Sequence, residues 1–475
     1  METLKLREPQ IPMVDFLIEH ERCSLWAGMG IGKTPAELYA MDVLKLMGRI
    51  GDSPTLVVGP MRVARDVWPN EAAKWEQFAD LKIIPLVGCT EAERIRRLRQ
   101  RADIFTIDYE LLPWLVEYYL DRWPFKQVVA DESDRLKGFR MKKKTKKNPD
   151  GIDIGNQKGG ASAKRAYAIG RVAHTLVKRW VNLTGTPAPE GYLDLWGQMW
   201  FVDRGARLGN TYSAYQDRWF RTLRNGKTEL MPHSKPEIDA LLKDVCLTID
   251  PKDYFDLREP IVTPITVQLP KAARKIYREL EKKLFADLGN GVEIEVFNSR
   301  ALSNKCLQLA NGAVYTDYPQ WAPVHSEKLE ALESISHEVT HAPLLVAYSF
   351  RSDVARIRKM FPKAVELSDA KGMEIFKAGG AAVGLAHEKS MGHGVDGLQY
   401  VTNVLVRFGH RWPHGERTQM LERIGPMRQF QAGFDRPVWV YDIIAESTLD
   451  EEVIESHTTK CGTQQALMNA MKRRG

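Results

Sequence analysis

A glycine-rich loop near the amino terminus reads Gly28-Met29-Gly30-Ile31-Gly32-Lys33-Thr34. Glycines let the backbone turn so that its N–H groups surround the phosphates of a nucleotide. In such a loop Lys33 contacts the β- and γ-phosphates, and the hydroxyl of Thr34 coordinates Mg²⁺. Ala27 stands where the usual pattern has its first glycine, so a strict pattern search misses the loop. The alternative interpretation is a glycine-rich turn that happens to precede a lysine.

An acidic pair follows an apolar run in the stretch Val128-Val129-Ala130-Asp131-Glu132. Asp131 is suited to hold Mg²⁺ through water, and Glu132 to orient and activate the attacking water. An acidic pair after a strand is a weak signal by itself, but this pair lies 98 residues after Lys33 in the same part of the chain. The two motifs together predict hydrolysis of ATP with Mg²⁺ as cofactor.

A third polar motif closes another apolar run, Leu183-Thr184-Gly185-Thr186-Pro187. Its hydroxyls are suited to couple a phosphate site to the movement of a lobe. An ordinary turn rich in threonine, glycine and proline explains the motif equally well.

Short β-rich runs alternate with helical stretches in two parts of the chain, which is typical of parallel α/β sheets. The candidate strands are Thr55–Gly59, Ile104–Ile107, Gln127–Ala130 and Trp180–Thr184 in the first part, and Leu344–Tyr348, Ala364–Leu367, Val383–Ala386, Asn403–Phe408 and Val438–Ile444 in the second. The sequence therefore predicts an α/β protein with two parallel-sheet lobes.

The region between the two parts, residues 201–335, shows no clear sheet rhythm. Within it, Lys271–Leu288 carries apolar residues at helical spacing, which predicts an amphipathic helix. We predict a first lobe over 1–200 with a basic insertion at about 138–164, a helical connector over 201–335, and a second lobe over 336–475.

The composition is that of a globular protein without a membrane span. Hydrophobic residues make up 44% of the chain, and no apolar run approaches the roughly 18 residues that cross a bilayer. Met1–Gln10 is charged and lacks an apolar signal core. The cysteines lack CxxC or zinc-ligand spacing, which indicates reduced thiols in a cytoplasmic compartment. They are Cys23, Cys89, Cys246, Cys306 and Cys461.

The net charge of +7 is concentrated in one segment. Between Arg135 and Lys147 the chain carries eight basic residues and no acidic one, so the remainder is close to neutral. A local basic run is a plausible footprint for a polyanion, although a solvated loop explains it as well. We expect Lys142, Lys143 and Lys144 in this run to contact nucleic-acid phosphates.

The motifs occur in an order that resembles the superfamily 2 helicases, and within them the Swi/Snf-like branch with its short phage and bacterial members. The resemblance spans roughly residues 5–460, and its specificity comes from the ordered set. The further motifs of the set are Leu6-Arg7-Glu8-Pro9-Gln10, Val58-Gly59-Pro60-Met61-Arg62, Asp108-Tyr109-Glu110, Tyr348-Ser349-Phe350-Arg351, Ser390-Met391-Gly392-His393-Gly394, and Gln419, Arg423 and Gln429.

The resemblance implies two RecA-like lobes and a role for each matched residue. Gln10 would read adenine, beside the loop Gly28–Thr34, and Arg423 would reach the γ-phosphate as an arginine finger. Backbone contacts with nucleic acid would involve Arg62, Tyr109, Thr186, Ser349, Arg351, Ser390 and His393. Trp68 and Trp75 are interpreted as packing residues rather than as residues that stack on bases.

The chain departs from the family pattern in its last motif. The family usually has two arginines three positions apart followed by Gly-Gln, whereas the position three after Arg423 is Pro426. The second arginine is therefore either Arg428 in a shifted register or absent. The stretch Gly394-Val395-Asp396-Gly397-Leu398 also carries one residue more than the family's usual Gly-Leu-Asn-Leu.

These observations predict an ATP-dependent translocase or helicase that acts on double-stranded DNA through its phosphates, without sequence specificity. We expect a monomer, with replication or recombination proteins as possible partners. Four alternatives stay open: a DNA-binding or remodelling platform with weak ATPase activity, a motor on RNA, a P-loop kinase or small-molecule ATPase, and the motor part of a restriction system.

Overall fold

The computed structural model describes residues 3–28, 30–141, 161–223, 228–289, 296–316, 319–391 and 395–470. The chain divides into two compact units, and all statements about them refer to these described residues. The first is formed by Met1–Asp256 together with Cys461–Gly475, and the second by Leu257–Lys460.

The first unit is built on a seven-stranded sheet with the order β3-β4-β2-β5-β6-β1-β9. Every neighbouring pair in this sheet is parallel. Its strands are β1 Arg22–Ala27, β2 Thr55–Gly59, β3 Ile83–Pro85, β4 Ile104–Asp108, β5 Gln127–Asp131, β6 Arg179–Thr184 and β9 Cys246–Ile249, and a small antiparallel hairpin adds β7 Phe220–Thr222 and β8 Thr228–Leu230.

Helices of the first unit cover both faces of the sheet, so the apolar strands are buried on both sides, as parallel sheets require. They are α1 Gln10–Glu19, α2 Lys33–Leu46, α3 Trp68–Ala72, α4 Glu91–Leu98, α5 Leu112–Tyr119, α6 Ala161–Ala173, α7 Leu195–Asp203, α8 Tyr212–Trp219 and α9 Ser234–Leu242.

The second unit is built on a six-stranded parallel sheet with the order β10-β17-β16-β13-β15-β14. Its strands are β10 Ile261–Val267, β13 Leu344–Tyr348, β14 Val365–Glu366, β15 Val383–His387, β16 Val404–Arg407 and β17 Trp439–Ala445, and an antiparallel pair adds β11 Ala313–Tyr315 and β12 Trp321–Pro323. The helices that begin in this unit are α10 Lys271–Gly289, α11 Val296–Asn311, α12 Glu327–Glu338, α13 Arg351–Met360, α14 Ala370–Lys377, α15 Glu388–Met391, α16 His414–Glu422, α17 Pro426–Gln431 and α18 Leu449–Ala470.

The prediction of two parallel-sheet, RecA-like α/β lobes is confirmed by these two sheets. The structure divides the region that the sequence assigns to a helical connector, 201–335, between the two units. The reason is that β9 adds an edge to the first sheet and β10 adds an edge to the second. The amphipathic helix expected at Lys271–Leu288 is α10, and most of the basic insertion lies outside the described residues.

The sequence did not predict strand β10, because this strand lacks the continuous apolar run of a buried strand. It lies at an edge of the sheet, and about half of its side chains are exposed. It also contains Pro264, which has no N–H to donate and is tolerated in sheets mainly at edges.

Candidate functional site

The glycine-rich loop connects the carboxyl end of β1 to the first residue of α2, Lys33. Gly30 and Gly32 have φ angles of 78° and 95°, in the left-handed region that favours glycine. A Cβ atom at Gly32 would lie 2.3 Å from Nε2 of Gln10, so no larger residue fits there without rearrangement. The loop therefore presents backbone N–H groups at a helix amino terminus, where anions bind well. Met29 lies outside the described residues.

The Lys33 ammonium folds back over this loop. Its Nζ donates hydrogen bonds to the carbonyl oxygens of Ala27, at 2.6 Å, and Gly28, at 3.2 Å. Thr34 follows it in the first turn of α2 and is half-buried. A bound phosphate would compete with these two carbonyl groups for the lysine.

Two side chains from the amino-terminal segment fasten the loop from the outside. Arg7 donates from Nη2 to the carbonyl oxygen of Ile31 at 2.9 Å, and Gln10 donates from Nε2 to that of Gly32 at 3.1 Å. Oε1 of Gln10 accepts from the backbone N–H of Arg7 at 2.8 Å. In this arrangement both polar atoms of the buried Gln10 are engaged, Nε2 by the loop and Oε1 by the backbone of Arg7, whereas the resemblance implies that they read adenine.

The acidic pair stands where β5 ends. The pKa of Asp131 is raised to about 6, mainly by burial and also by the charge of Glu132, while a hydrogen bond from Trp68 and the charge of Lys33 act to lower it. Trp68 donates from Nε1 to Oδ2 of Asp131 at 2.9 Å. Glu132 has a φ of 58°, a strained value for a non-glycine residue that is common at functional sites.

A further carboxylate, Asp134, lies one turn beyond the pair. Burial raises its pKa to about 7, with Glu132 adding to the shift and Arg135 and Lys137 opposing it. Its Oδ1 atom is buried without a hydrogen-bond partner among the described residues. The site thus contains three neighbouring carboxyl groups, of which the motif analysis singled out two.

The sheet order brings these motifs to one edge. Strand β6 lies between β1 and β5, and its register places Thr184 opposite Trp26 and Leu183 opposite Asp131. Because carboxyl ends of parallel strands meet at the same edge, the loop, the acidic pair and the Thr184-Gly185-Thr186 turn converge there, where ligands of open α/β sheets bind.

Two residues that the sequence assigned to nucleic-acid contact are buried in this unit. Tyr109 is fully buried, and its hydroxyl donates to the carbonyl oxygen of Asp131 at 3.0 Å. Tyr109 therefore supports the backbone of the acidic pair from the core, and as placed it is not available to a phosphate backbone. Thr186 is also buried, and its hydroxyl has no partner among the described residues. Arg62 is half-buried just after β2.

The corresponding residues of the second unit follow its own strand ends. Ser349, after β13, is buried, and Arg351 opens α13 with an ion pair of 2.6 Å to Glu366. Ser390 is exposed in α15 after β15, and its hydroxyl donates to the carbonyl oxygen of His387. His393 and the lysines of the basic run, Lys142, Lys143 and Lys144, lie outside the described residues.

The two candidate finger arginines differ in their surroundings. Arg423 is buried and donates to the carbonyl oxygens of Met391, at 2.9 Å, and Val395, at 3.0 Å. These two residues flank the segment that contains His393, so Arg423 is bonded on both sides of it. Arg428, which is more exposed, forms an ion pair of 3.4 Å with Asp396. As placed, both guanidinium groups contact the same short segment of the second unit.

The residues present fit a magnesium ion bound together with a nucleotide. Asp131 is a buried carboxylate whose ionised form lacks solvation, and a nearby cation would restore it. With the Thr34 hydroxyl, it supplies the oxygen donors that Mg²⁺ prefers. Within the described ranges, no group of three His, Cys, Asp or Glu side chains forms a metal site by itself.

None of the helices that the structure describes is long and apolar enough to span a membrane. No family model matches the chain. It is 42% identical over 481 residues to protein p41 of Acyrthosiphon pisum secondary endosymbiont phage 1, with all of both chains covered.

Similar solved structures include two from Sulfolobus solfataricus. One is the SWI2/SNF2 ATPase core in complex with dsDNA, 18% identical with a TM-score of 0.43, where the match covers 100% of this chain and 98% of that one. The other is the SWI2/SNF2 ATPase core domain, which is 18% identical with a TM-score of 0.40. That match covers 100% of this chain and 92% of the other.

Proposed function

The chain belongs to the family of the phage protein p41, and for this member we propose an ATP-hydrolysing motor that moves on nucleic acid, specifically on double-stranded DNA. The observation that carries the proposal is the convergence of the phosphate loop and the acidic pair at one edge of the first sheet. The proposed activity is translocation on the duplex, with strand separation as the alternative. Its place of action would be the cytoplasm of the host cell.

Each step of hydrolysis has a candidate group in this site. The backbone N–H groups of the loop and the Lys33 ammonium would bind the phosphates, and Glu132 would orient the attacking water and accept its proton. Thr34 and Asp131 would hold Mg²⁺, which when bound neutralises charge on the phosphates. Arg7 and Gln10 keep the loop in its binding shape through its carbonyl groups.

Residues of both units are proposed to bind the nucleic acid. The basic run after the acidic pair holds the excess charge of the chain, and phosphate contacts of this kind are independent of sequence and weaken with salt. Arg351 and Ser390, at the strand ends of the second unit, are exposed donors of the kind that hold a sugar-phosphate backbone. A motor on RNA would use the same phosphate contacts.

The test is ATP hydrolysis by the full chain with duplex DNA, single-stranded DNA, RNA or no nucleic acid. We expect duplex DNA to stimulate turnover and Lys33→Ala to reduce it at least a hundredfold, since this removes the ammonium from the phosphates. Lys45→Ala is the matched control, because Lys45 lies on the same helix, is exposed and pairs only with Asp103 among the described residues. Turnover that persists in Lys33→Ala, or that no nucleic acid alters, would contradict the proposal.

A second candidate is a DNA-binding platform with weak ATPase activity. It is favoured by Arg423, whose guanidinium is hydrogen-bonded inside the second unit, and by Pro426 at the position of the family's second arginine. If this candidate is correct, Arg423→Lys and Arg428→Lys will leave the slow turnover unchanged while the chain still binds DNA. A motor that uses either arginine as its finger will instead lose DNA-stimulated turnover in that variant.

A further inference from the structure

A short turn of the second unit leads from the carboxyl end of β13 into α13 and carries Arg351, one of the residues proposed to bind nucleic acid. The side chain of Arg351 is 64% exposed, whereas Ser349, two residues earlier, is buried. Backbone N–H groups between a strand and the first turn of a helix have no partner in either element, so other groups must bind them. The shape of this turn therefore depends on the side chains around it.

Two side chains bind the N–H groups of this turn. Oδ2 of Asp353, in the first turn of α13, accepts from the N–H of Ser349 at 3.2 Å and from that of Phe350 at 2.9 Å. The hydroxyl of Tyr315, at the end of β11, accepts from the N–H of Ser352 at 3.1 Å. The backbone is therefore held on both sides of the exposed arginine.

Asn311, the last residue of α11, holds the Asp353 carboxylate in turn. Its Nδ2 donates to Oδ2 of Asp353 at 3.0 Å, and its Oδ1 accepts from the ammonium of Lys328 at 2.9 Å. All three side chains are buried, with exposed fractions of 1%, 0% and 0%. Because a cation faces the amide oxygen and a carboxylate faces the amide nitrogen, the amide has one favourable orientation.

The Asp353 carboxylate needs these donors because it is buried. Burial raises its pKa to about 6, while the N–H groups of Phe350 and Ser349, the charge of Arg356 and the amide of Asn311 act to lower it. Of these hydrogen bonds, the one from Asn311 is made by a side chain. Replacement of that amide therefore changes the support of the turn and leaves the turn's own residues in place.

The space around the amide is limited by Gly409, which follows β16. A Cβ atom at this position would lie 2.5 Å from Nδ2 of Asn311 and 2.6 Å from Oγ of Ser349. The amide and the turn are thus packed against the same stretch of backbone, and a residue larger than glycine would displace one of them.

We propose that Asn311 and Tyr315 are positioning residues for the contact of Arg351 with nucleic acid, an inference that rests on the proposed function. Asn311 acts through the backbone before the arginine, and Tyr315 acts through the backbone after it. A guanidinium binds phosphate through a planar fork of N–H donors, so its contact depends on direction as well as on charge. Both positioning residues lie in the region 201–335, to which the sequence gave no role in binding.

Binding of duplex DNA to the full chain without ATP, measured as a double-mutant cycle, tests the proposal. Arg351→Gln should weaken binding several-fold and lower the slope of log affinity against log salt by about 1, as expected for one phosphate contact. Asn311→Leu keeps the size of the side chain and removes both polar groups. It should weaken binding in the wild type and add little in Arg351→Gln, whereas a variant that merely loosens the unit would add its full loss.

A second cycle covers the case in which Asn311→Leu fails to fold. Tyr315→Phe removes only the hydroxyl that binds the turn, and its effect should also disappear in Arg351→Gln. Asn304→Leu is the matched control for the first cycle, because Asn304 is exposed on the same helix. Tyr400→Phe is the control for the second, since Tyr400 is 62% exposed in the same unit, and both controls should bind DNA as the wild type does.

The outcomes separate this proposal from the proposed function. Losses that add to that of Arg351→Gln, or unchanged binding by Asn311→Leu and Tyr315→Phe, overturn the positioning role while the wild type still binds DNA and hydrolyses ATP. Unchanged binding by Arg351→Gln overturns it as well. A wild type that binds no nucleic acid overturns both proposals.

Discussion

Trp68 shows how a single contact sets the chemistry of the acidic pair. Its indole N–H is fully buried and donates to Asp131, which stabilises the ionised carboxylate against the cost of burial. The sequence favours a packing role for this tryptophan, and its burial confirms that role. The hydrogen bond was beyond prediction because 63 residues separate the partners, and only the folded sheet brings them together.

We expect Trp68→Phe to shift the acidic limb of the ATPase pH profile upward. Burial gives Asp131 a pKa of about 6, so the carboxylate is lost as the pH falls through this value. A hydrogen bond to a charged group contributes about 1.5–3 kcal/mol and about 1.4 kcal/mol corresponds to one pKa unit, so the shift should be roughly one to two pH units. Rates measured between pH 5 and 9 give the limb directly.

Trp75→Phe provides the control for this variant, because the indole of Trp75 donates to Glu71 instead, at 3.1 Å. An unchanged acidic limb in Trp68→Phe would show that another group governs the profile. Melting temperatures of both variants separate a loss of packing from the change in protonation.

Several elements of the second unit are held together by charges buried in its core. Lys328 on α12 and Asp450 on α18 form an ion pair of 2.6 Å, and both side chains are fully buried. Lys328 also donates to Asn311 and to the carbonyl oxygen of Phe408, just beyond β16. Together these contacts join α12 and α18 to the ends of α11 and β16. Removal of one partner of the ion pair leaves the other charge buried without compensation.

Asp450→Ala is expected to lower the free energy of unfolding of the second unit by about 3–5 kcal/mol. Asp435→Ala is the control, since Asp435 pairs with Arg258 on the surface and such exposed pairs contribute about 0–1 kcal/mol. Urea denaturation of both variants measures the difference. Equal losses in the two would mean that the buried pair is no more stabilising than a surface pair.

The elements that the sequence predicted are those with strong apolar runs. The candidate strands coincide with β2, β4, β5 and β6 and with β13–β17, apart from one or two residues at their ends. Strand β1 was missed although it leads into the phosphate loop, because it carries Arg22 and the buried Ser24 among its six residues. Strand β9 was also missed, because it lies in the region 201–335, where the sequence shows no clear sheet rhythm.

The site was predictable to the extent that its residues follow strand ends. Lys33 and Asp131 meet because β1 and β5 both neighbour β6, which the alternation of strands and helices makes probable in a parallel sheet. Arg7 and Asp134 take their roles from contacts across the fold, and nothing in the local pattern marks them. For the same reason the burial of Tyr109 was not foreseen.

At the scale of the whole molecule, the chain consists of two compact units with separate sheets and separate cores. The phosphate loop and the acidic pair both lie in the first unit. Nucleotide binding should therefore stabilise the first unit more than the second.

Calorimetry is expected to show two unfolding transitions, of which ADP with Mg²⁺ raises one. A ligand at a hundredfold excess over its Kd contributes about 2.7 kcal/mol, which corresponds to roughly 5–10 °C for a unit of this size. Lys33→Ala should abolish most of the shift, whereas Lys45→Ala should keep it. A single transition that moves as a whole would mean that the units unfold together.

The edge strands of both sheets bear on how the chain behaves at high concentration. Unpaired edges invite strand addition by other chains, and natural proteins blunt them with short strands and proline. Here β14 has two residues, β3 has three and ends in Pro85, and β9 has four, while the seven-residue β10 is interrupted by Pro264. In the two large sheets that the structure describes, no edge offers other copies a long uninterrupted ladder of backbone groups, so the chain should resist aggregation through these sheets.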